Sequence, residues 1–501
     1  MKNKLSKERR NYFIKILVLI SLSVGIAAGQ QQQPTGAGNQ SLSAVELKGK
    51  VPVNKKPLKI NLPKTQETRL ANGLRVVVLE DRKLPTFSMR VVVETGSSSE
   101  PANLRGLSAA TAALIREGTK TRTSRQIAEQ VESLGGRLGS GGSSPVIASS
   151  LVMSGETQSF DLLLEIFADV LLNPAFPAEE VEKYKTRIVG QITSQRSNSA
   201  AIAQQKLFGT IYGASPISSG VTPPVESVQR IKAEDVAAFY NRFYRPNNAI
   251  LAITGDVNLK EILPKLERAF GMWQKDEVQA TKITDLPVRA KGKMMLVDRS
   301  NSVQTTIYLG TLGIEQTNPD YFPLLVANEI FGAGPASRLF AVIREEKGYT
   351  YSIQSFFFGS RYPGVVVASA TSVKTDVTGA AVGALLDEIK RIREIKVSET
   401  EIDNAKRALT GSFALSLEQP ETLLSNFIDQ KIYGLPANYW ETYPQRVAAV
   451  NIEDVQRVAR KYYDPETLNI VAVGDAAKIK DALVKYGTVE VFDAEGKSIK
   501  P

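Results

Sequence analysis

The feature that most constrains the fold of this chain is an internal repeat. Residues 233–257 (AEDVAAFYNRFYRPNNAILAITGDV) resemble residues 452–476 (IEDVQRVARKYYDPETLNIVAVGDA) without a gap. Identical residues recur 219 positions apart at Asp235/Asp454, Val236/Val455, Tyr244/Tyr463, Pro246/Pro465, Gly255/Gly474 and Asp256/Asp475. Matches at both hydrophobic and turn positions indicate a tandem duplication, so two homologous domains are expected.

The pattern of elements within each copy predicts the fold class. The sequence of each repeated segment predicts an amphipathic helix followed by a buried strand. Further strands and helices are predicted before it in each half. An α+β layered domain is therefore expected in each half. The polar stretch 274–293 separates the halves, which predicts domains at 61–275 and 276–501. The glycine-rich tract 135–145 lacks the ending of a phosphate-binding loop, so we predict a bend there between a helix and a strand.

Composition excludes several kinds of chemistry. The chain has 501 residues, 43% hydrophobic and 23% charged, as is typical of globular proteins. It contains no cysteine and no histidine, so it has no disulfide, thiol nucleophile, imidazole base or imidazole metal ligand. No calcium-loop pattern is present. No basic stripe with interleaved aromatics points to nucleic acid.

The N-terminus is typical of an exported protein. Residues 1–29 predict a signal peptide, because a basic start precedes the apolar run 16–29, which ends in small residues. The alternative is an uncleaved anchor. Residues 30–60 predict a disordered linker. Export without cysteine suggests a periplasmic or secreted bacterial protein, with no membrane span after signal cleavage.

Residues 331–354 (FGAGPASRLFAVIREEKGYTYSIQ) form the most informative segment of the second half. Ser337 is predicted to cap a short helix that ends at Gly348, and a strand is expected to begin near Tyr351. Arg344 then lies in the last turn of that helix. On the residues alone, Arg344 caps a helix end and Tyr351 is a half-buried strand aromatic.

The order SRLF, IRE, KGYTY in this segment resembles the second-domain signature of the pitrilysin/insulinase family of zinc metallopeptidases. The resemblance implies two homologous domains, each a mainly antiparallel sheet with helices packed on it. It also implies that Arg344 and Tyr351 bind substrate, by helping to hold its backbone across from the zinc.

The same family carries His-x-x-Glu-His on a helix of its first domain. Here the corresponding stretch is GLSAATAALIREGT, residues 106–119, and its flanking residues match the family pattern. The two ligand positions fall on Ala109 and Ala113, the catalytic base on Ala112, and the third ligand near Gln191. Alanine has no donor atom, so this chain is expected to hold no metal and to have no catalytic residue of its own.

The resemblance therefore implies a non-catalytic, substrate-positioning subunit of a heterodimeric zinc metallopeptidase that acts on peptides. Zinc is expected in a homologous partner subunit. The alternative is a peptidase-like scaffold or binding protein with no proteolytic role. A zinc-independent hydrolase is a third possibility, but no serine or lysine constellation supports it.

Overall fold

The structure is a computed structural model that describes residues 60, 62–144, 148–215, 217, 222–279, 283 and 286–499. The predicted signal peptide and, except for Ile60, the predicted linker lie outside the described residues. In the part of the chain that is described, no helix combines the length and the apolar character that a membrane crossing requires.

The first sheet has six strands in the order β1-β2-β6-β3-β5-β4. Its strands are β1 (Gln66–Arg69), β2 (Arg75–Glu80), β3 (Thr86–Val93), β4 (Arg137–Ser144), β5 (Ala148–Glu156) and β6 (Ala249–Gly255). Only β2 and β6 pair in parallel. The helices of this part are α1 (Leu107–Leu114), α2 (Ser124–Ser133), α3 (Phe160–Leu172), α4 (Ala178–Gln195), α5 (Ser199–Tyr212), α6 (Val225–Arg230), α7 (Ala233–Phe243) and α8 (Leu259–Phe270).

The second sheet has the order β12-β7-β11-β8-β10-β9. Its strands are β7 (Met294–Asp298), β8 (Gln304–Leu312), β9 (Ser352–Phe358), β10 (Val365–Lys374), β11 (Asn469–Gly474) and β12 (Val489–Phe492). The helices are α9 (Tyr321–Asn328), α10 (Thr378–Glu394), α11 (Glu399–Ser416), α12 (Pro420–Tyr433), α13 (Tyr443–Ala449), α14 (Ile452–Tyr462) and α15 (Ala476–Val484), with π-helical turns at Glu329–Ala333 and Phe340–Glu346. Strand β7 pairs in parallel with β11 and β12, and the other pairs are antiparallel. The predicted fold class, two repeated α+β domains, is confirmed.

The repeated residues have the same structural roles in both halves. Asp235 at the start of α7 accepts a hydrogen bond from the backbone of Lys232 at 2.9 Å, and Asp454 at the start of α14 accepts one from Asn451 at 3.3 Å. These aspartates cap equivalent helices. The two helices lead into β6 and β11, which occupy equivalent places in the two sheets.

A glycine ends each of these repeated strands, and at Gly255 the reason is geometric. Its φ is +125°, which L side chains rarely adopt, and a Cβ there would lie 2.1 Å from the Thr86 carbonyl oxygen. The glycine therefore permits the close pairing of β6 with β3.

The two halves share one hydrophobic core through a pair of exchanged helices. Helix α5 of the first half packs on β8 and β11, while helix α12 of the second half packs on β6. Their buried side chains are Ile202, Ala203, Leu207, Phe208, Ile211, Tyr212, Leu423, Leu424, Ile428 and Ile432. Each sheet is thus covered on one face by a helix from the other half, and the described residues of the two halves form one compact unit.

A titratable carboxyl lies in this shared region, on α12. Arg90 of β3 donates from Nη1 to Ser425 Oγ at 3.2 Å, and Asp429 follows one turn later. Burial raises the pKa of the Asp429 carboxyl to about 6, although Arg90 and a hydrogen bond from Tyr433 oppose the shift. The charge on Asp429 therefore costs stability above the pKa of the folded state.

We expect Asp429→Asn to be more stable than the wild type at about pH 7.5, by on the order of 2 kcal/mol, and equal to it at about pH 4. The folded carboxyl binds its proton more tightly than the unfolded one, whose pKa is about 3.9. The free energy of unfolding of the wild type should therefore fall as pH rises from about 4 to about 7.5. Urea unfolding of both proteins across this range measures the effect, with Asp403→Asn on an exposed face of α11 as control. Equal stability of Asp429→Asn and wild type at neutral pH would contradict this account.

Some local predictions were wrong. The glycine-rich tract forms the edge strand β4 rather than a bend, because backbone pairing with β5 needs no side chains. Helix α5 and strand β1 were not predicted at all. Thr123 caps α2 through a reciprocal bond with Gln126, whereas the sequence predicts Ser124 as the capping residue of this helix.

Candidate functional site

The segment with the SRLF and KGYTY motifs forms a π-helical turn between buried anchors. Leu339 and Ile343 are fully buried. The Ser337 carbonyl accepts a hydrogen bond from the Ala341 amide, but its hydroxyl is buried without a partner among the described residues. The predicted side-chain cap at Ser337 was therefore wrong. Gly348 ends the turn with a φ of +62°, as expected for a C-terminal glycine.

The structure brings Arg344 and Tyr351 into direct contact. The guanidinium carbon of Arg344 lies 4.2 Å from the ring centroid of Tyr351 and 4.5 Å from that of Phe340. The cation is thus held by two aromatic rings. Tyr351 is 76% exposed and precedes β9 by one residue, so it is not a half-buried strand aromatic.

Backbone contacts fix the residues between Arg344 and Tyr351. The Tyr349 amide donates to the Ile343 carbonyl at 3.1 Å, which closes the turn around Gly348. Thr350 donates its hydroxyl to the Thr371 carbonyl of β10 and accepts from the Ser352 amide at 3.2 Å. The Tyr351 end of the segment is therefore tied to the second sheet, and the turn itself links Tyr349 back to Ile343.

A buried ion pair anchors the start of the same segment. Arg338 is 6% exposed and binds Glu401 of α11 with two nitrogens, at 2.6 and 3.2 Å. Burial alone would raise the pKa of the Glu401 carboxyl, but hydrogen bonds from Arg338 and Ser398 lower it to about 2. Such a bidentate pair gives the segment a fixed orientation.

Helix α1 presents alanine where the family motif would place metal ligands. Ala109 is exposed and Ala113 is half-buried, whereas Ala112, at the catalytic base position, is 1% exposed. Gln191 is exposed on α4, which packs against α1. The described residues contain no group of three or more acidic side chains that could hold a metal. The side chains at these positions do not fit zinc, so no step of a reaction is assigned to them.

The register of the lost motif can be tested by rebuilding it. We expect Ala109→His, Ala113→His and Gln191→Glu together to bind one zinc per chain, because histidines at i and i+4 share one helix face. Elemental analysis after dialysis measures the zinc content. The wild type should bind none.

A matched control moves the third ligand by one turn. Gln195→Glu, in place of Gln191→Glu, should leave zinc binding at least about tenfold weaker, because the displaced carboxylate would leave zinc with only the two histidine ligands. If the rebuilt variant holds no more zinc than the wild type, the assignment of the motif to these positions is wrong.

Fold and site together define a class of protein: a duplicated peptidase-like chain that carries alanine or glutamine where the family places its zinc ligands. The comparisons with known proteins identify the family. Residues 75–225 match the model of the insulinase family, peptidase family M16, and residues 230–409 match the model of the peptidase M16 inactive domain. The two models together match about two thirds of the chain. The chain belongs to the M16 family of peptidases and their homologues.

Three curated relatives show the range of the family. The chain is similar to an uncharacterized zinc protease of Rickettsia bellii, with 28% identity over 70% of this chain and 84% of the relative. It is 26% identical to mitochondrial-processing peptidase subunit beta of Blastocladiella emersonii, over 84% of this chain and 91% of the relative. It is 21% identical to a non-peptidase homolog of Helicobacter pylori, over 81% and 93%.

A solved structure supports the same conclusion. The fold is similar to the peptidase M16 inactive domain from Pseudomonas fluorescens, with a TM-score of 0.74 and 25% identity over 82% of this chain and 98% of that one. The chain is accordingly an M16 homologue of the inactive type.

Two residues of the site were not predicted from sequence. The Phe340 ring lies 4.5 Å from the guanidinium carbon of Arg344, and Arg338 anchors the segment. Of these two residues, only Phe340 could have been found from the sequence. It lies four positions before Arg344, and residues at this spacing are neighbours on the surface of a helix. Nothing in the sequence pairs Arg338 with Glu401, which is 63 positions away.

Proposed function

We propose that this chain is the non-catalytic, substrate-positioning subunit of a periplasmic or secreted heterodimeric zinc metallopeptidase that acts on peptides. One contrast carries the proposal. The pair Arg344 and Tyr351 is intact and reachable from solvent, while the ligand positions on α1 are alanine. A scaffold without a proteolytic role has no need of that pair.

The chemistry of the pair suits a bound peptide backbone. The Arg344 guanidinium offers a planar set of donors to carbonyl oxygens, and the nearby rings of Phe340 and Tyr351 restrict its position. The Tyr351 phenol can donate to the oxygen that becomes negative when a carbonyl is attacked. When bound in a partner, zinc would supply the activated water.

The edge strand beside the pair offers a place for an extended peptide. Strand β9 begins directly after Tyr351 and pairs only with β10 within the described residues. Its outer edge presents backbone groups that an added strand can bind. A peptide bound along β9 would pass close to Arg344 and Tyr351.

One relative supports a paired assembly, because it is described as subunit beta of a mitochondrial-processing peptidase. We therefore expect this chain to need a homologous partner with an intact His-x-x-Glu-His motif. The predicted signal peptide at residues 1–29 would bring the chain to the periplasm or the medium.

The second candidate is a peptidase-like scaffold or binding protein, favoured by the non-peptidase description of the Helicobacter pylori relative. Purification of the tagged chain from its native source distinguishes the two. We expect a homologue with the intact zinc motif to co-purify in equal amount. Recovery of the chain alone, under conditions that preserve known heterodimers, would favour the scaffold.

A further inference from the structure

A cleft of about 460 Å³ lies on the face of the first sheet that is opposite α1. It is bounded by the turn between β2 and β3, by the ends of β5 and β6, and by the start of β4. The other wall comes from the second half of the chain, at the turn between α11 and α12. The cleft is therefore built from both halves.

A row of polar side chains crosses the floor of the cleft. Thr254 of β6 is opposite Ser88 of β3, Ser88 is opposite Ser154 of β5, and Ser154 is opposite Arg137 of β4. Residues that are directly opposite face the same side of a sheet. Thr254 is 2% exposed, and its hydroxyl has no partner among the described residues. A buried hydroxyl of this kind lacks a hydrogen bond that a ligand could supply.

Charged groups of both signs line the cleft without neutralising each other. Glu418 and Glu421 stand on the wall from the second half, and Arg137 stands at the β4 end of the row. Within the described ranges, none of these three side chains makes an ion pair. The remaining charges of the lining are partnered, since Lys83 lies 3.5 Å from Asp81, and Glu156 accepts from Gln158 at 2.5 Å.

We propose that this cleft binds a short peptide by its two charged termini, with the ammonium at Glu418 and Glu421 and the carboxylate at Arg137. All three side chains are exposed, and a zwitterionic ligand offers each of them an ion pair at once. Strands lie about 4.8 Å apart, so the four-strand row spans about 14 Å, the length of three or four extended residues. The Thr254 hydroxyl, after rotation of its side chain, faces the ligand backbone.

This inference does not rest on the proposed partner or on zinc. Arg344 and Tyr351 do not line the cleft, and the experiment uses the chain alone. Short peptides with free termini are the products of a peptidase reaction, so such a site would respond to proteolysis. It could exist equally in a scaffold protein.

Isothermal titration of the purified chain with trialanine tests the proposal, because only the termini of trialanine are charged. We expect N-acetylation or C-amidation of trialanine to weaken binding about tenfold each. Thr254→Val should weaken binding a few-fold without lowering the melting temperature. Two substitutions serve as matched charge controls. Glu441→Gln changes an exposed residue outside the cleft, and Arg196→Gln changes an exposed residue that lines another cleft.

Each terminus of the peptide is assigned to its binding side chain by combining a change in the peptide with a change in the protein. Acetylation should have no further effect in Glu418→Gln/Glu421→Gln, and amidation should have none in Arg137→Gln. The proposal is overturned if trialanine at millimolar concentration gives no binding, or if capping weakens these variants as much as the wild type.

Discussion

Replacing Arg344 by alanine should lower the turnover of the assembled peptidase by on the order of a hundredfold. The guanidinium lies against the rings of Phe340 and Tyr351, so its donors are held ready for a substrate carbonyl. Donors aimed at developing charge act mainly in the transition state. The loss should therefore appear in kcat more than in KM. Tyr351→Phe should cost less, because the ring still stacks on Arg344 and water can replace the hydroxyl.

Two further variants test whether Arg344 positions the substrate or only stabilises the fold. Arg344→Lys should rescue poorly, because an ammonium lacks the planar fork of donors. Arg361→Ala is the matched control, since Arg361 also lies near a tyrosine ring, 5.9 Å from that of Tyr362, but outside the motif. Melting temperature and partner affinity are measured beside the kinetics. If Arg344→Ala keeps full activity, or if it unfolds, the pair is structural.

Asp320→Ala should lower the free energy of unfolding by about 3 kcal/mol. Asp320 is 6% exposed and accepts from Lys461 Nζ at 2.8 Å and from the Tyr462 hydroxyl at 2.7 Å, and Arg457 also binds it. It thus ties the start of α9, which leads into the site, to the repeated helix α14. The two cations are half-exposed and can be solvated again, so the main cost is the buried Tyr462 hydroxyl.

The pH dependence of this contribution has a definite sign. Burial alone would raise the pKa of the Asp320 carboxyl, but hydrogen bonds from Lys461, Tyr462 and Arg457 lower it to about 2. The stabilisation is therefore fully present above about pH 4 and is lost as pH falls towards 2. Asp481→Ala, on an exposed face of α15, should change stability little. A loss below about 1 kcal/mol for Asp320→Ala would show that the network is dispensable.

The duplication could be predicted from the sequence because both halves keep the same local helix, turn and strand signals. Capping aspartates, turn prolines and strand-ending glycines recur at one offset, and each has a local physical cause. The contact between Arg344 and Tyr351 was likewise within reach, since a short helix and a glycine stop bring them together.

Other features depend on contacts between distant residues. The exchange of α5 and α12 between sheets involves partners that are distant in the sequence, such as Thr210 and Met295, which are 85 positions apart. No local pattern specifies which sheet a helix will cover. Strand β4 is stabilised by pairing although its glycines disfavour strands. The polar row from Thr254 to Arg137 exists only once four strands are in register.

One measurement tests the central claim most directly: hydrolysis of a fluorogenic peptide by this chain alone, by its zinc-bearing homologue alone, and by an equimolar mixture. We expect no hydrolysis by this chain alone and a rate in the mixture well above that of the homologue, reduced about a hundredfold by Arg344→Ala. A homologue that is fully active alone, and that gains nothing from this chain, would contradict the account.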